Sequence, residues 1–230
     1  MLELKDVNKS FYYHFRKNTV LSGINMEVHS GDFIALMGKS GSGKTTLLNI
    51  IAGLLKPSSG KIFFNQKHIL SWDFFLSRYR RKNIGFVFQN FNLIDYLSVL
   101  DNVVLPLKFS SLSPLNQRAA GMEILNKVGL SDRAHYYPGM LSGGQLQRCA
   151  IARALINKPS LIIADEPTGN LDNKTATEIM DIFHRLNKED NITFIVVTHE
   201  KGVIDTANRT LFLSEGKLSD NPDEWMIKQK

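Results

Sequence analysis

The residues that most constrain this chain are Gly38-Lys39-Ser40-Gly41-Ser42-Gly43-Lys44-Thr45. They fit the pattern G-x-x-x-x-G-K-[ST]. An apolar segment, Phe33–Met37, precedes them, and a helix-like segment, Lys44–Leu54, follows. That strand–loop–helix context is what the pattern requires. Gly38, Gly41 and Gly43 let the backbone fold tightly, so that the N–H groups from Gly38 through Ser40 and Ser42 turn inward as a nest for anionic oxygens. The helix N-terminus, with Thr46 in its first turn, adds a positive dipole end. Lys44 supplies a mobile charge for β- and γ-phosphates, and Thr45 a hydroxyl for Mg²⁺, which prefers oxygen ligands.

Composition bounds the rest. At about 150 residues per domain, 230 residues make one large domain or two small ones, enough for a core without disulfides. Hydrophobic residues at 43% and charged residues at 22% argue against wholesale disorder. No apolar run approaches the roughly 18 residues of a bilayer span. The start, Met1-Leu2-Glu3-Leu4-Lys5, does not read as a signal peptide. The single cysteine, Cys149, excludes an internal disulfide. It recurs with Leu146, Ala150 and Ala154 at helical spacing and reads as a buried core residue, although Arg148 beside it suggests a lowered thiol pKa. The net charge of +6 suggests a polyanionic partner. Residues 1–115 hold 14 basic and 7 acidic residues, whereas residues 116–230 hold 14 and 15, so the excess is N-terminal. It includes Arg78-Tyr79-Arg80-Arg81-Lys82, read as a solvated helix face or a surface for anionic headgroups.

Short apolar runs alternate with helical patterns, the mark of an α/β chain with parallel strands. Strands are expected at Leu2–Val7, Ile24–Val28, Phe33–Met37, Lys61–Phe64, Ile84–Phe88, Leu161–Ala164, Thr193–Val197 and Arg209–Leu213. Helices are expected at Lys44–Leu54, Pro114–Val128, Gly144–Ile156, Lys174–Leu186 and Lys201–Ala207. Leu161–Ala164 and Phe194–Val197 are continuously apolar, as strands covered on both faces are, while Leu2–Lys5 and Ile24–Val28 alternate, as antiparallel strands with one polar face do. Phe91–Gly139 reads as mostly helical, and residues 221–230 as a docking helix or a frayed tail.

Further residues gather around the phosphate loop. Leu161–Ala164 runs into Asp165 and Glu166, and the carboxyl end of a buried strand is where open α/β sheets bind ligands. Asp165 suits a metal; Glu166 suits an attacking water. His199 follows the apolar strand Thr193–Val197 and suits a hydrogen bond to phosphate or water. Leu141-Ser142-Gly143-Gly144-Gln145 opens a helix and forms a second anion-seeking helix N-terminus. One chain with two such loops for one nucleotide points to a head-to-tail pair, each chain closing over the other's ligand.

With these residues the sequence resembles the nucleotide-binding domains of ATP-binding-cassette (ABC) transporters, whose signature loop reads LSGGQ. The resemblance covers about residues 2–218. It implies the P-loop NTPase cassette fold: a RecA-like parallel core, an N-terminal antiparallel β layer and an inserted helical subdomain, here about residues 91–157, within one domain over 1–220. Asp165 and Glu166 match the Walker B aspartate and catalytic glutamate, His199 the switch histidine, Gln89 the Q-loop glutamine that senses Mg²⁺ and water, and Asp172 the D-loop aspartate that crosses to the partner subunit. Ser142, Gly143, Gly144 and Gln145 would contact the ATP bound by that partner. Val7-Asn8-Lys9-Ser10-Phe11 aligns with the loop whose aromatic stacks on adenine; Phe11 is the matched ring, with Tyr12 and Tyr13 adjacent and the choice among them open. Lys39 stands where the family commonly has proline.

The strings Gly85–Ile94, Asp101–Leu107 and Ala164–Asp172 look like one subfamily, the LolD and MacB types of lipoprotein release, macrolide export and antimicrobial-peptide resistance. The resemblance implies ATP and Mg²⁺ as ligands, a homodimer in the ATP-bound state, and an FtsX-like transmembrane permease as partner. It places the chain in the cytoplasm, peripheral on the inner face of the membrane, as a bacterial transport ATPase for export or membrane extraction of a peptide, antibiotic or lipoprotein. The alternative is an FtsE-like signalling cassette that regulates an extracytoplasmic cell-wall enzyme. Soluble cassettes of translation or DNA repair usually carry two cassettes or a long coiled coil, for which 230 residues leave no room, and no nucleic-acid partner is expected.

Overall fold

Strands with one polar face and strands that are apolar throughout need different surroundings, and the computed structural model, which describes residues 1–14, 16–69 and 73–221, puts them in different sheets. The chain opens with strands β1 (Leu2–Tyr13), β2 (Arg16–Val28) and β3 (Phe33–Met37), helix α1 (Lys44–Ile51), strands β4 (Ser59–Phe64) and β5 (Lys67–His68), and helix α2 (Asp73–Asn83). Strand β6 (Ile84–Phe88) leads into helices α3 (Val99–Val104), α4 (Pro114–Lys127) and α5 (Gly143–Leu155), then strand β7 (Leu161–Asp165) and helix α6 (Asn173–Asp190). Strand β8 (Thr193–Val197), helix α7 (Lys201–Thr206) and strands β9 (Arg209–Ser214) and β10 (Lys217–Ser219) follow. The expected tail lies outside the described residues from 222 onward. No described helix is long and apolar enough to cross a membrane.

The chain forms two units, one of residues 1–80 with the segment from Ile195 onward, the other of residues 81–194. In the first, an antiparallel sheet has the order β2-β1-β4-β5. Its register sets Leu2 opposite Val28 and Phe64, and Leu4 opposite Met26 and Ile62. All six are buried, while Glu3 and Lys5 on the other face are not. Burying a side chain of this size is worth about 1.5–3 kcal/mol. Beyond Val7, β1 continues to Tyr13 with no buried residue, and in the stretch of β2 paired with it only Leu21 is buried. Backbone pairing, Lys9 with Leu21 down to Tyr13 with Arg16, carries β1 and β2 past the expected ends. The second sheet of this unit has the order β10-β9-β3-β8, with β3 parallel to β9 and β10 antiparallel. Phe33, Ile34, Leu36 and Ile195–Val197 are each at most 1% exposed, as continuously apolar strands require.

In the second unit β6 and β7 are parallel, Ile84 opposite Leu161 and Phe88 opposite Asp165. Helix α6 buries Ala176, Ile179, Met180, Phe183 and Leu186, a stripe at helical spacing, and the Phe183 and Phe194 rings meet at 4.9 Å. Helix α5 is tied to α6 by an Arg148–Glu178 ion pair at 2.5 Å. Between β6 and α3 the chain has no regular structure of its own. Asn102, fully buried in α3, holds it: Oδ1 accepts from Ile94 N–H, and the two hydrogens of Nδ2 are shared among the carbonyls of Ile94, Leu97 and Ser98. The mostly helical reading of 91–139 agrees with α3, α4 and the short 3₁₀ turns among the described residues.

Candidate functional site

The first unit carries the phosphate loop. Parallel strand β3 ends at Met37, and the chain turns through residues 38–43 into α1. A Cβ on Gly38 would sit 2.4 Å from the Leu213 carbonyl oxygen and 2.7 Å from Ser42 Oγ, so only glycine passes there. Gly43 caps α1 at φ 104°, a conformation open to glycine. Lys44 is buried and folds back along the loop, its Nζ donating to the carbonyls of Gly38 (2.6 Å) and Lys39 (3.0 Å). The Lys39 carbonyl also accepts from Ser42 N–H, while its side chain points to solvent. The residue at this position thus lends its carbonyl to both Lys44 and Ser42, a role that any side chain allows. Ser42 Oγ is buried with no hydrogen-bond partner, a polar atom suited to a phosphate oxygen. Thr45 is exposed and Thr46 half-buried at the first turn.

His199 belongs to the same unit. Thr198 N–H donates to the Leu36 carbonyl at 3.4 Å, so the chain leaving β8 is tied to the strand that feeds the loop, and His199, one residue on, is exposed. Phe11 is 42% exposed with the Lys9 ammonium 4.9 Å above its ring; Tyr12 and Tyr13 are 75% exposed. All three rings stand on the free end of the β1–β2 hairpin.

The second unit carries the carboxylates and the signature loop. Leu161 to Ala164 are fully buried, and Asp165 and Glu166 are half-buried where β7 ends. Glu166 has φ 46°, a left-handed conformation that costs a non-glycine residue about 1–3 kcal/mol and clusters at functional sites. Because β6 and β7 are parallel, Gln89 leaves the sheet beside Asp165. Its Nε2 lies 2.9 Å from where Gly169 would carry a Cβ, and Asn170 Nδ2 donates to the Gln89 carbonyl (3.2 Å) and to Asn90 Oδ1 (3.0 Å). Gln89, Asp165, Glu166, Gly169 and Asn170 thus form one cluster.

Ser142 is the N-cap of α5 in a complete capping box: Oγ accepts from Gln145 N–H, and Gln145 Oε1 accepts from Ser142 N–H. A Cβ on Gly144 would be 2.4 Å from Thr175 Cγ2, and one on Gly143 3.2 Å from Leu171 Cδ2. The two glycines let the start of α5 lie against the start of α6. There Asp172 caps α6, with Oδ1 accepting from Thr175 N–H and Oδ2 from Thr175 Oγ1 at 2.6 Å. These bonds hold its carboxyl below the usual carboxylate range.

Cys149 is fully buried, and burial pushes its thiol up to about 12. The charge opposing that shift is Arg153, one turn on, while Arg148 is paired with Glu178. The core reading of Cys149 holds; the suggested influence of Arg148 does not. Sequence reasoning missed two polar groups. Gln147 is fully buried with Nε2 on the Pro167 carbonyl at 2.5 Å, and Arg153 donates to the carbonyls of Phe91 and Asn92. Both residues belong to the helix after the signature loop, whose apolar spacing gives no sign of their main-chain partners.

Known proteins share this arrangement. The ABC transporter family matches residues 21–169. YvrO of Bacillus subtilis, an ABC transporter ATP-binding protein, is 45% identical over 219 residues, 95% of each chain. The macrolide export ATP-binding/permease protein MacB of Syntrophobacter fumaroxidans is 45% identical over 222 residues, 95% of this chain and 31% of MacB. The dimeric post-hydrolysis structure of the ATP-binding cassette MJ0796, from Methanocaldococcus jannaschii, with bound ADP and phosphate, has a TM-score of 0.87 at 42% identity, covering 95% of this chain and 97% of that one. The chain thus spans about a third of MacB and nearly all of the two single cassettes.

Proposed function

The chain belongs to the ABC transporter family as an ATP-hydrolysing cassette, and from that premise we propose that it is the motor subunit of an exporter whose membrane permease is FtsX-like. The observation that carries the ATPase chemistry is the Gly38–Thr45 loop, with Lys44 laid along it and the unpartnered Ser42 hydroxyl inside it. Lys44 and the loop amides bind the triphosphate, and an aromatic of the hairpin end, Phe11 by its alignment, stacks on adenine. Thr45, Asp165 and the Gln89 amide are the hydroxyl, carboxylate and amide oxygens that would hold Mg²⁺, which when bound neutralises charge on the phosphate oxygens. Glu166 accepts the proton of the attacking water as the bond to the leaving ADP breaks, and His199 hydrogen-bonds the transferred phosphoryl group. In phosphoryl transfer the protein chiefly positions and neutralises, which suits these residue types.

Two copies enclose two ATP molecules. Ser142, Gly143 and Gly144 of the partner subunit face the γ-phosphate, supported by its Gln145 capping bond, and Asp172 stands at the same junction. The known MJ0796 dimer and the MacB likeness support this assembly and an export role. The exposed apolar side chains of the second unit, Phe109, Leu112 and Leu115, are the surface we assign to the permease.

The test is Glu166→Gln. ATP binding is expected to persist, turnover to fall by roughly 10²-fold or more, the low end for a lost general base, and an ATP-bound dimer to accumulate in size-exclusion chromatography. Full turnover in this variant removes Glu166 from proton transfer. For the exporter reading, the native complex is purified and its membrane chain sequenced. A large extracytoplasmic domain between the first two spans supports a MacB-like export permease, and copurification of a cell-wall hydrolase favours the signalling alternative.

A further inference from the structure

We propose that Arg153 is a positioning residue for Gln89, a clamp that fixes the turn from which the glutamine projects; the proposal rests on the reading of Gln89 as a metal and water ligand. Strand β6 ends at Phe88, and Phe91 N–H returns to the Phe88 carbonyl at 3.2 Å, so Gln89 and Asn90 form the tip of a tight turn. The turn closes through two consecutive left-handed residues, Phe91 at φ 60° and Asn92 at φ 50°. Asparagine tolerates that region, but for a bulky aromatic residue it is an outlier that surrounding structure must over-determine.

Arg153 supplies that surrounding structure. From α5, Nη2 donates to the Phe91 carbonyl at 2.7 Å and Nη1 donates to the Asn92 carbonyl. A planar guanidinium has parallel donors for two adjacent carbonyls, whereas an ammonium has no such fork. On the other side of the tip, Asn170 holds the Gln89 carbonyl and Asn90 Oδ1. Gln89 is therefore gripped from the loop that follows Glu166 and from α5. Because α5 begins at Gly143, the setting of Gln89 is fixed relative to the same helix that presents the signature loop.

The experiment measures ATP turnover against Mg²⁺ concentration for the full chain, as wild type, Gln89→Ala, Arg153→Lys and the double variant. Removal of a residue that supports a metal ligand typically costs 10–100-fold in metal affinity or activity. Gln89→Ala is expected to raise the half-saturating Mg²⁺ concentration and lower kcat by about tenfold each. Arg153→Lys is expected to move both in the same direction by about three- to tenfold, with Mg²⁺-free nucleotide affinity unchanged. The double variant should be no worse than Gln89→Ala alone, the non-additivity of residues acting as one unit. Phe91→Gly, which takes the left-handed turn without a clamp, should restore most of the loss in an Arg153→Lys background and keeps the test open if Arg153→Lys alone folds poorly. A shifted melting temperature with an unmoved Mg²⁺ dependence, additive losses, or no rescue by Phe91→Gly each overturn the proposal. A silent Gln89→Ala overturns the reading of Gln89, and the clamp with it; an effect of Gln89→Ala that Arg153→Lys does not share overturns the clamp alone.

Discussion

Asp172 shows how a single residue is spoken for twice. It aligns with a position that crosses to a partner subunit, yet its carboxylate oxygens each accept a hydrogen bond from Thr175. Those bonds favour the ionised form, so its folded pKa is depressed below the unfolded value of about 3.9. Between the two values the unfolded chain binds more protons, so this contribution to stability is present above the unfolded pKa and is lost as pH falls through the folded one. Wild type is therefore expected to be more stable than Asp172→Ala at pH 6, with the gap closing as pH drops below the ordinary carboxylate range, read from urea midpoints at each pH. An unchanged gap would place the stabilisation elsewhere. The same scale explains the basic run. Tyr79 donates to the Ile51 carbonyl, Arg80 to that of Gly53 and Arg81 to that of Phe109. Arg78, Arg81 and Lys82 are exposed, as a solvated face requires, while buried Tyr79 and half-buried Arg80 anchor α2.

Among elements, α5 joins stability to recognition. Its capping box satisfies backbone N–H groups that would otherwise lack partners. Ser142→Ala should lower stability by about 1 kcal/mol in urea unfolding, the usual worth of an N-cap, while the glycines beside it keep their place against α6. Elements of this kind were legible to different degrees. Strands β3, β6 and β8 run between the expected residues: short apolar runs leave little choice of end where polar residues or glycine follow, as Gly38, Gln89 and Thr198 do here. The phosphate loop and the signature loop were legible because their residue types answer to backbone chemistry. Helix α2 was not: only Leu76 and Tyr79 of its characterised side chains are buried, and the basic residues around them give no apolar stripe. Helix α3 was legible only as part of the mostly helical stretch 91–139, with no ends of its own, because six residues make fewer than two turns of apolar periodicity. Helix α1 ends at Ile51 rather than Leu54, since the Leu54 and Leu55 N–H groups both turn back to the Asn49 carbonyl. Arg153 was illegible for another reason: its partners are main-chain carbonyls, and sequence does not show where a carbonyl points.

For the whole molecule the decisive property is assembly. The phosphate loop lies in one unit and the signature loop in the other, and the proposal asks a second copy to supply the signature loop. Ser142→Arg puts a long cation at the cap of α5, on an exposed residue whose replacement does not disturb the core. Nucleotide binding by the monomer should survive, while ATP-dependent dimerisation in the Glu166→Gln background should disappear, as followed by light scattering. A dimer that still forms would show that the signature loop does not face the partner's nucleotide.

Asn102 has a consequence at a different level. The stretch from Ile94 to Ser98 takes its course from one buried amide, while Tyr96 within it is 81% exposed. Frame and lettering are thus written by different residues. A substitution at Asp95 or Tyr96, both exposed, therefore alters the surface that the loop offers to a neighbour while leaving every bond of Asn102 in place.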